Sequence, residues 1–170
     1  KGKKTAGVTM VKFLYPKSVF RNPIHFLAFG FGIGGMPKAP DTYGTLLIIP
    51  FYLLIIQLPM LYYPVILLLV MVSGLYICGQ TAKDLGVKDH PGIVWDEFAG
   101  FLLTMLFVPY EWYWLLLGFV LYRGFDILQP YPISLLKEKT GTGISIMADD
   151  LVAGFLSFLV LHAVIFVVSN

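Results

Sequence analysis

Residues 42–82 contain no Asp, Glu, Lys or Arg, an uncharged stretch of 41 residues. A helix crossing a bilayer takes about 20 residues, so the stretch holds two of them. They part at "IQLPMLYYP", where Gln57 and Pro59 interrupt the apolar run and proline removes a backbone donor that a helix interior needs. Similar runs follow at 98–108, 112–122 and 151–168. With 58% hydrophobic and 13% charged residues, and a mean hydropathy of +0.80, the chain is far more apolar than the soluble average of about one-quarter charged. The expected fold class is all-α: a polytopic membrane protein with an N-terminal interfacial helix and about five membrane helices.

Residues 1–21 read as a basic segment, in which 1–9 precede a natural start at Met10, and residues 22–170 as one membrane domain. "KGKKTAGVTMVKF" offers no apolar region of signal-peptide length behind its basic residues. The single Cys78 excludes an internal disulfide and a cysteine-based metal cage. Nucleic acid is not an expected partner.

Threading the five runs alternately from a cytoplasmic N-terminus puts every Lys and Arg on one side, from Lys17 and Arg21 through Lys38, Lys83, Lys88 and Arg123 to Lys137 and Lys139. The opposite loops hold only Gln57, Glu111 and the terminal Asn170. By the positive-inside rule the basic side is the cytoplasm. The same threading carries Asp41, Asp84, Asp89, Asp96, Glu97, Asp126, Asp149 and Asp150 to that face.

Two adjacent acidic pairs stand at the mouths of apolar runs, "IVWDEFAGF" with Asp96 and Glu97, and "IMADDLVAGF" with Asp149 and Asp150. The third run is too short for a bilayer core of about 30 Å unless it begins near residue 93, which sinks the first pair to the headgroup plane. Ionisable groups at such a position are functional candidates. Four carboxylates from two helices make a hard-oxygen ligand set suited to Mg²⁺ or Mn²⁺. Neighbours on a helix diverge by about 100°, so one member of each pair faces the ion and the other supports it, and either assignment is open. Ala99, Gly100, Ala153 and Gly154 let the two helices approach. The plainer alternative is two acidic pairs that mark solvated helix ends.

Asn22 followed by Pro23 starts an interfacial helix over 22–31, with the former as cap and the latter in the first turn. Beyond Gly32, Gly34 and Gly35, Thr42 and Thr45 stand where the free N–H groups of a helix start attract phosphate, or where they merely cap it. In "YRGFDILQPYP", Arg123 and Asp126 share a helix face at i and i+3, with Pro130 and Pro132 ending the helix. They form either a structural ion pair or a guanidinium forked onto phosphate with an acid that orients it or adds a metal ligand. Lys83, Asp84, Asp89 and His90 lie just upstream of the first pair; singly, these are ordinary interfacial charges. Carboxylates for a divalent ion, cations for phosphate and a headgroup location converge on phosphoryl transfer or hydrolysis on a phospholipid. Asp84 stands six residues after Cys78, where a cysteine phosphatase needs Arg, and none of the three histidines lies in a Ser-Gly-His context.

These motifs resemble a known family. "NPIHFLAFGFG", "PDTYGT", "TAKDLGVKDH", "IVWDEFAG", "RGFDILQPYP" and "GTGISIMADDLVAG" occur in the order found in phosphatidylglycerophosphatase A, over residues 22–170. The resemblance implies a bacterial inner-membrane, Mg²⁺-dependent phosphatase with its site on the cytoplasmic face, converting phosphatidylglycerophosphate to phosphatidylglycerol. It implies Asp96, Glu97, Asp149 and Asp150 as the catalytic metal site, with Asp126 also catalytic and Arg123, Thr42, Thr45, Lys83, Asp84 and His25 binding substrate. Three positions depart from the family pattern, Asp41 for Gly, Gln129 for Lys and Ser145 for Gly. Asp41 adds negative charge where phosphate binds. Two rivals are weaker. A small transporter or channel with an acidic cation path needs carboxylates spread through the depth of the membrane, and a CDP-alcohol phosphotransferase needs an Asp-Gly-x-x-Ala-Arg signature that does not occur.

Overall fold

The computed structural model describes residues 16–131, 133 and 140–169. The expected start at Met10 and the positions of Lys12, Pro132, Lys137, Glu138, Lys139 and Asn170 lie outside the described residues. Among the described residues all regular structure is helical: α1 (Pro23–Ala28), a 3₁₀ turn (Ile33–Gly35), α2 (Pro40–Ile55), α3 (Tyr62–Leu85), α4 (Trp95–Thr104), α5 (Trp112–Leu128) and α6 (Gly143–Ser169).

Two of these are long and apolar enough to cross a membrane, α3 with 24 residues and α6 with 27. At about 1.5 Å per residue they extend about 36 and 40 Å, beyond the roughly 30 Å of a hydrocarbon core. Their outward sides are apolar, with Leu68, Leu69 and Val72 on α3 and Phe155, Phe166 and Val167 on α6 exposed. Lipid tails, not water, suit such a surface. The helix expected over 22–31 is shorter. Asn22 Oδ1 accepts from the Ile24 N–H at 2.9 Å, but α1 stops at Ala28 because Gly30, Phe31 and Gly32 take positive φ of 51°, 57° and 96°, a left-handed path that turns the chain back. Gly86, at φ 67°, ends α3 in the same way, its N–H bonding the carbonyls of Ala82 and Lys83.

The third run differs most from expectation. α4 starts at Trp95, not Ile93, and its 10 residues rise only about 15 Å. Apart from Trp95 and Leu103 every residue of it is buried. It packs on α2, α3, α5 and α6, so protein and not lipid surrounds it, and bilayer thickness does not set its length. An end buried in this way must have its last carbonyls satisfied. Tyr63 Oη donates to Leu102 O at 2.8 Å, and the Met105 N–H to Phe101 O at 3.1 Å. The apolar core that surrounds α4 includes Tyr52, Phe101, Leu102, Met105, Tyr122 and Leu161.

The starts of α2, α4 and α6 and the end of α5 meet around one polar cavity, lined among others by Asp41, Asp96, Asp126 and Asp149. At the opposite end of the bundle a second cavity, of about 250 Å³, is lined by Ile55, Tyr63, Met105 and Tyr110. From α2 to α6, successive helices therefore alternate in direction.

Candidate active site

The polar cavity measures about 480 Å³. Its carboxylates are Asp41 from α2, Asp89 from the loop after α3, Asp96 and Glu97 from α4, Asp126 from α5, and Asp149 and Asp150 from α6. Arg123 is the only Lys or Arg among the described residues that line it. His90 also lines it, and burial lowers its pKa from the ordinary 6.5, which favours the neutral ring. The Gly92 N–H donates to His90 Nδ1 at 3.0 Å, so Nε2 carries the proton of that neutral form.

Arg123 ties the carboxylates together. Its Nη1 donates to both oxygens of Glu97, at 2.6 and 2.7 Å, and lies 2.9 Å from Asp126 Oδ2. The Nε–H is buried and has no acceptor. Glu97 Oε2 also accepts from Thr45 Oγ1 at 2.8 Å, which fastens α2 to α4. Both acids of the first pair lie in the first turn of α4, where unpaired N–H groups and the positive end of the helix dipole offset part of the cost of burying them. Asp96 Oδ1 accepts from the Glu97 N–H at 3.1 Å. In the second pair, Asp150 Oδ1 accepts from Tyr122 Oη at 2.9 Å.

Glu97, Asp126 and Asp150, from three different helices, each present an oxygen such that the three lie within 4.8 Å of one another. Ligands around a small divalent ion at about 2.1 Å stand about 3 Å apart when adjacent and about 4 Å when opposite, so a slight contraction of this triad closes on an ion. The charge balance points the same way. Several carboxylates facing one guanidinium in a partly buried cavity repel one another strongly unless a cation joins them. The residues present therefore fit a hard divalent cation.

The family model for Phosphatidylglycerophosphatase A matches residues 26–165, nearly the whole described chain. The chain belongs to the phosphatidylglycerophosphatase A family. It is 44% identical over 142 residues to the Phosphatidylglycerophosphatase A of Escherichia coli K12, covering 83% of each chain. It is 41% identical over 149 residues to that of Haemophilus influenzae, covering 84% of this chain and 89% of the relative. A Putative phosphatidylinositol-3-phosphatase of Bacteroides thetaiotaomicron is 32% identical over 140 residues, 78% of this chain and 87% of that one. No solved structure matches.

Within this phosphatidylglycerophosphatase A fold, the expected residues separate into two groups. Asp96, Glu97, Arg123, Asp126, Asp149 and Asp150 line the one cavity, and Thr45 reaches it through Glu97. Of the two acidic pairs, Glu97 and Asp150 are the members that stand in the triad. Asp96 and Asp149 stand beside them in the cavity wall. The second group does not line the cavity. His25 Nε2 lies 3.1 Å from Asp84 Oδ2 and its Nδ1 2.8 Å from Ser18 Oγ, while Gln80 Nε2 donates to Asp84 Oδ1 at 2.7 Å. This cluster fastens the segment around α1 to the end of α3. Lys83 is exposed next to it, and Thr42 is half-buried on the first turn of α2. Asp89 and His90, singly unremarked as interfacial charges, belong to the cavity. Tyr122 also belongs to the site, bonded to Asp150; before Arg123 in an apolar run it reads in the sequence like any core tyrosine.

Proposed function

We propose that this chain hydrolyses the terminal phosphate monoester of phosphatidylglycerophosphate to give phosphatidylglycerol, using Mg²⁺, with Mn²⁺ able to replace it. The observation that carries the reading is the convergence of Glu97, Asp126 and Asp150 around the Arg123 guanidinium, in a chain that belongs to the phosphatidylglycerophosphatase A family. Glu97, Asp126 and Asp150 would hold the ion, supported by Asp96 and Asp149 in the same cavity wall, and when bound it would supply charge neutralisation at the phosphoryl oxygens. Arg123, held by Glu97 and Asp126, is the cation of the cavity lining, and its guanidinium offers a phosphoryl oxygen a charge-assisted hydrogen bond. His90 presents the neutral Nε2–H form of its ring, which can donate a hydrogen bond to a phosphoryl oxygen but has no proton to transfer. Thr45 keeps Glu97 turned toward Arg123.

The lipid character of the substrate has its own support. An apolar cleft of about 190 Å³ between α2, α3 and α4 is lined by Ile48, Phe51, Val70, Trp95, Phe98 and Leu102 among others. Trp95 and Phe98 face this cleft while Asp96 and Glu97 face the cavity, so the start of α4 divides a seat for an acyl chain from a seat for the phosphate. The surrounding architecture belongs to the proposal: α2 to α6 as five membrane-embedded helices in the bacterial inner membrane, residues 22–170 as a single domain, and the cavity on the cytoplasmic face that the one-sided Lys and Arg distribution defines.

The test is phosphate release by the purified chain in mixed micelles, on phosphatidylglycerophosphate, phosphatidic acid and phosphatidylinositol 3-phosphate, with EDTA and with added Mg²⁺. Preference for the first substrate and dependence on Mg²⁺ are expected. Equal rates in EDTA, or preference for the inositol lipid, would overturn the reading.

A further inference from the structure

Tyr122 is completely buried, on α5 next to Arg123 and among the aromatic rings of the core, with its ring 6.1 Å from that of Phe101 in an edge-on contact. A phenol in such a place has to find a partner for its hydroxyl. The partner is Asp150 Oδ1, at 2.9 Å. We infer that Tyr122 is a positioning residue for the metal site, which fixes the Asp150 carboxylate by this one hydrogen bond so that Asp150 completes the triad with Glu97 and Asp126. The inference rests on the proposed metal site.

The backbone around the phenol shows that room for it is specific. Gly100 of α4 faces both the hydroxyl and the chain of α6: a Cβ at Gly100 would stand 2.5 Å from Tyr122 Oη and 2.7 Å from the Asp150 carbonyl oxygen. The hydroxyl thus occupies a pocket left by a missing side chain, where α4, α5 and α6 come together. In the other direction, Asp150 is buried and belongs to a helix with apolar surroundings. Its carboxylate has one oxygen bonded to the phenol, and rotation about its terminal bond would break that contact. Hydrogen bonds of this kind, from groups behind the ligand, orient ligating carboxylates and typically change metal affinity tenfold to a hundredfold when removed. A phenol suits the role because it donates a proton without adding a formal charge to a cavity already crowded with carboxylates.

The experiment compares wild type, Tyr122→Phe and Phe101→Leu as full-length chains in detergent, titrating Mn²⁺ and reading the free ion by electron paramagnetic resonance. Steady-state kinetics on phosphatidylglycerophosphate accompany the titration. Tyr122→Phe keeps the ring and removes only the hydroxyl, whereas Phe101→Leu disturbs the packing of the same ring and keeps the bond. Tyr122→Phe is expected to weaken Mn²⁺ binding about tenfold or more. Its kcat at limiting Mg²⁺ should fall and recover at high Mg²⁺, with the lipid KM unchanged. Phe101→Leu should lower thermal stability with Mn²⁺ affinity retained. Equal Mn²⁺ affinity in wild type and Tyr122→Phe would overturn this inference and leave the metal site standing. Absence of Mn²⁺ binding by wild type would overturn both.

Discussion

Arg123 Nη1 lies 2.6 Å from Glu97 Oε1 and 2.7 Å from Glu97 Oε2, so one guanidinium nitrogen spans both oxygens of a buried carboxylate. With only 9% of the arginine side chain and 4% of the glutamate exposed, water can do little to replace either partner. Removing one side of such a pair strands the other charge, at a cost of about 3–5 kcal/mol. Arg123→Ala is therefore expected to unfold markedly earlier in thermal denaturation and to lose activity. Arg123→Lys retains the charge without the planar fork, so it should keep most of the stability while activity stays low. Thermal unfolding and phosphate release measured side by side on the two variants check this. Parallel recovery of both properties in Arg123→Lys would show that charge alone suffices.

The approach of α4 to α6 makes a second prediction. A Cβ at Gly154 would collide with the Gly100 carbonyl oxygen, whereas one at Gly124 of α5 meets nothing within 4 Å. Gly154→Ala should force the helices apart at a cost of about 1–3 kcal/mol, and should reduce activity by moving Asp150 away from Glu97. Gly124→Ala should stabilise by about 0.5–1 kcal/mol, the helix preference of alanine over glycine, with activity unchanged. Unfolding midpoints of the two variants decide the matter, since the same substitution is expected to act with opposite signs.

His90 gives the chain a signed pH dependence. Burial lowers its folded-state pKa below the ordinary 6.5, so between the two values the unfolded chain binds more protons and stability rises with pH. The stability associated with a neutral His90 is fully present above about pH 6.5 and is lost as pH falls through the lower folded-state value. Unfolding midpoints of wild type and His90→Gln across pH 5–8 should diverge on the acid side, with wild type losing more. Parallel curves would remove His90 as the source.

The two site groups differ in what they are expected to do when neutralised. Glu97→Gln, Asp126→Asn and Asp150→Asn remove members of the triad and should each lower activity about a hundredfold or more, the scale of lost charge stabilisation. Asp84→Asn touches only the cluster with His25 and Gln80. It should loosen the segment around α1, seen as faster proteolysis there, and leave kcat within a few-fold of wild type. A collapse of kcat in Asp84→Asn would bring that cluster into the catalytic site.

The sequence disclosed what is costly to place in an apolar chain. Asp96, Glu97, Asp149 and Asp150 are conspicuous because nothing in a bilayer-length run excuses them, and all four line the cavity. Arg123 with Asp126 was legible as a pair through its i, i+3 spacing, and the structure forms it. Other features were not legible. The rotation of α4 and α6, which selects Glu97 and Asp150 for the triad, depends on how each helix packs and not on its own sequence. Asp84 and His25 stand near charged motifs in the chain, yet α3 runs its Asp84 side toward α1, away from the cavity. The length of α4 was overestimated because a helix enclosed by protein need not match a bilayer. Tyr122 gains its partner from Asp150 on another helix, which its own neighbours in the chain do not announce.

The most direct test of the central claim is the position of the metal itself. Anomalous diffraction from crystals of the wild-type chain grown with Mn²⁺ is expected to show a peak bonded, at about 2.2 Å, to a carboxylate oxygen of each of Glu97, Asp126 and Asp150, with Asp150 still held by Tyr122. A peak elsewhere in the cavity that touches none of the three, or crystals of active enzyme with no peak at all, would contradict the account.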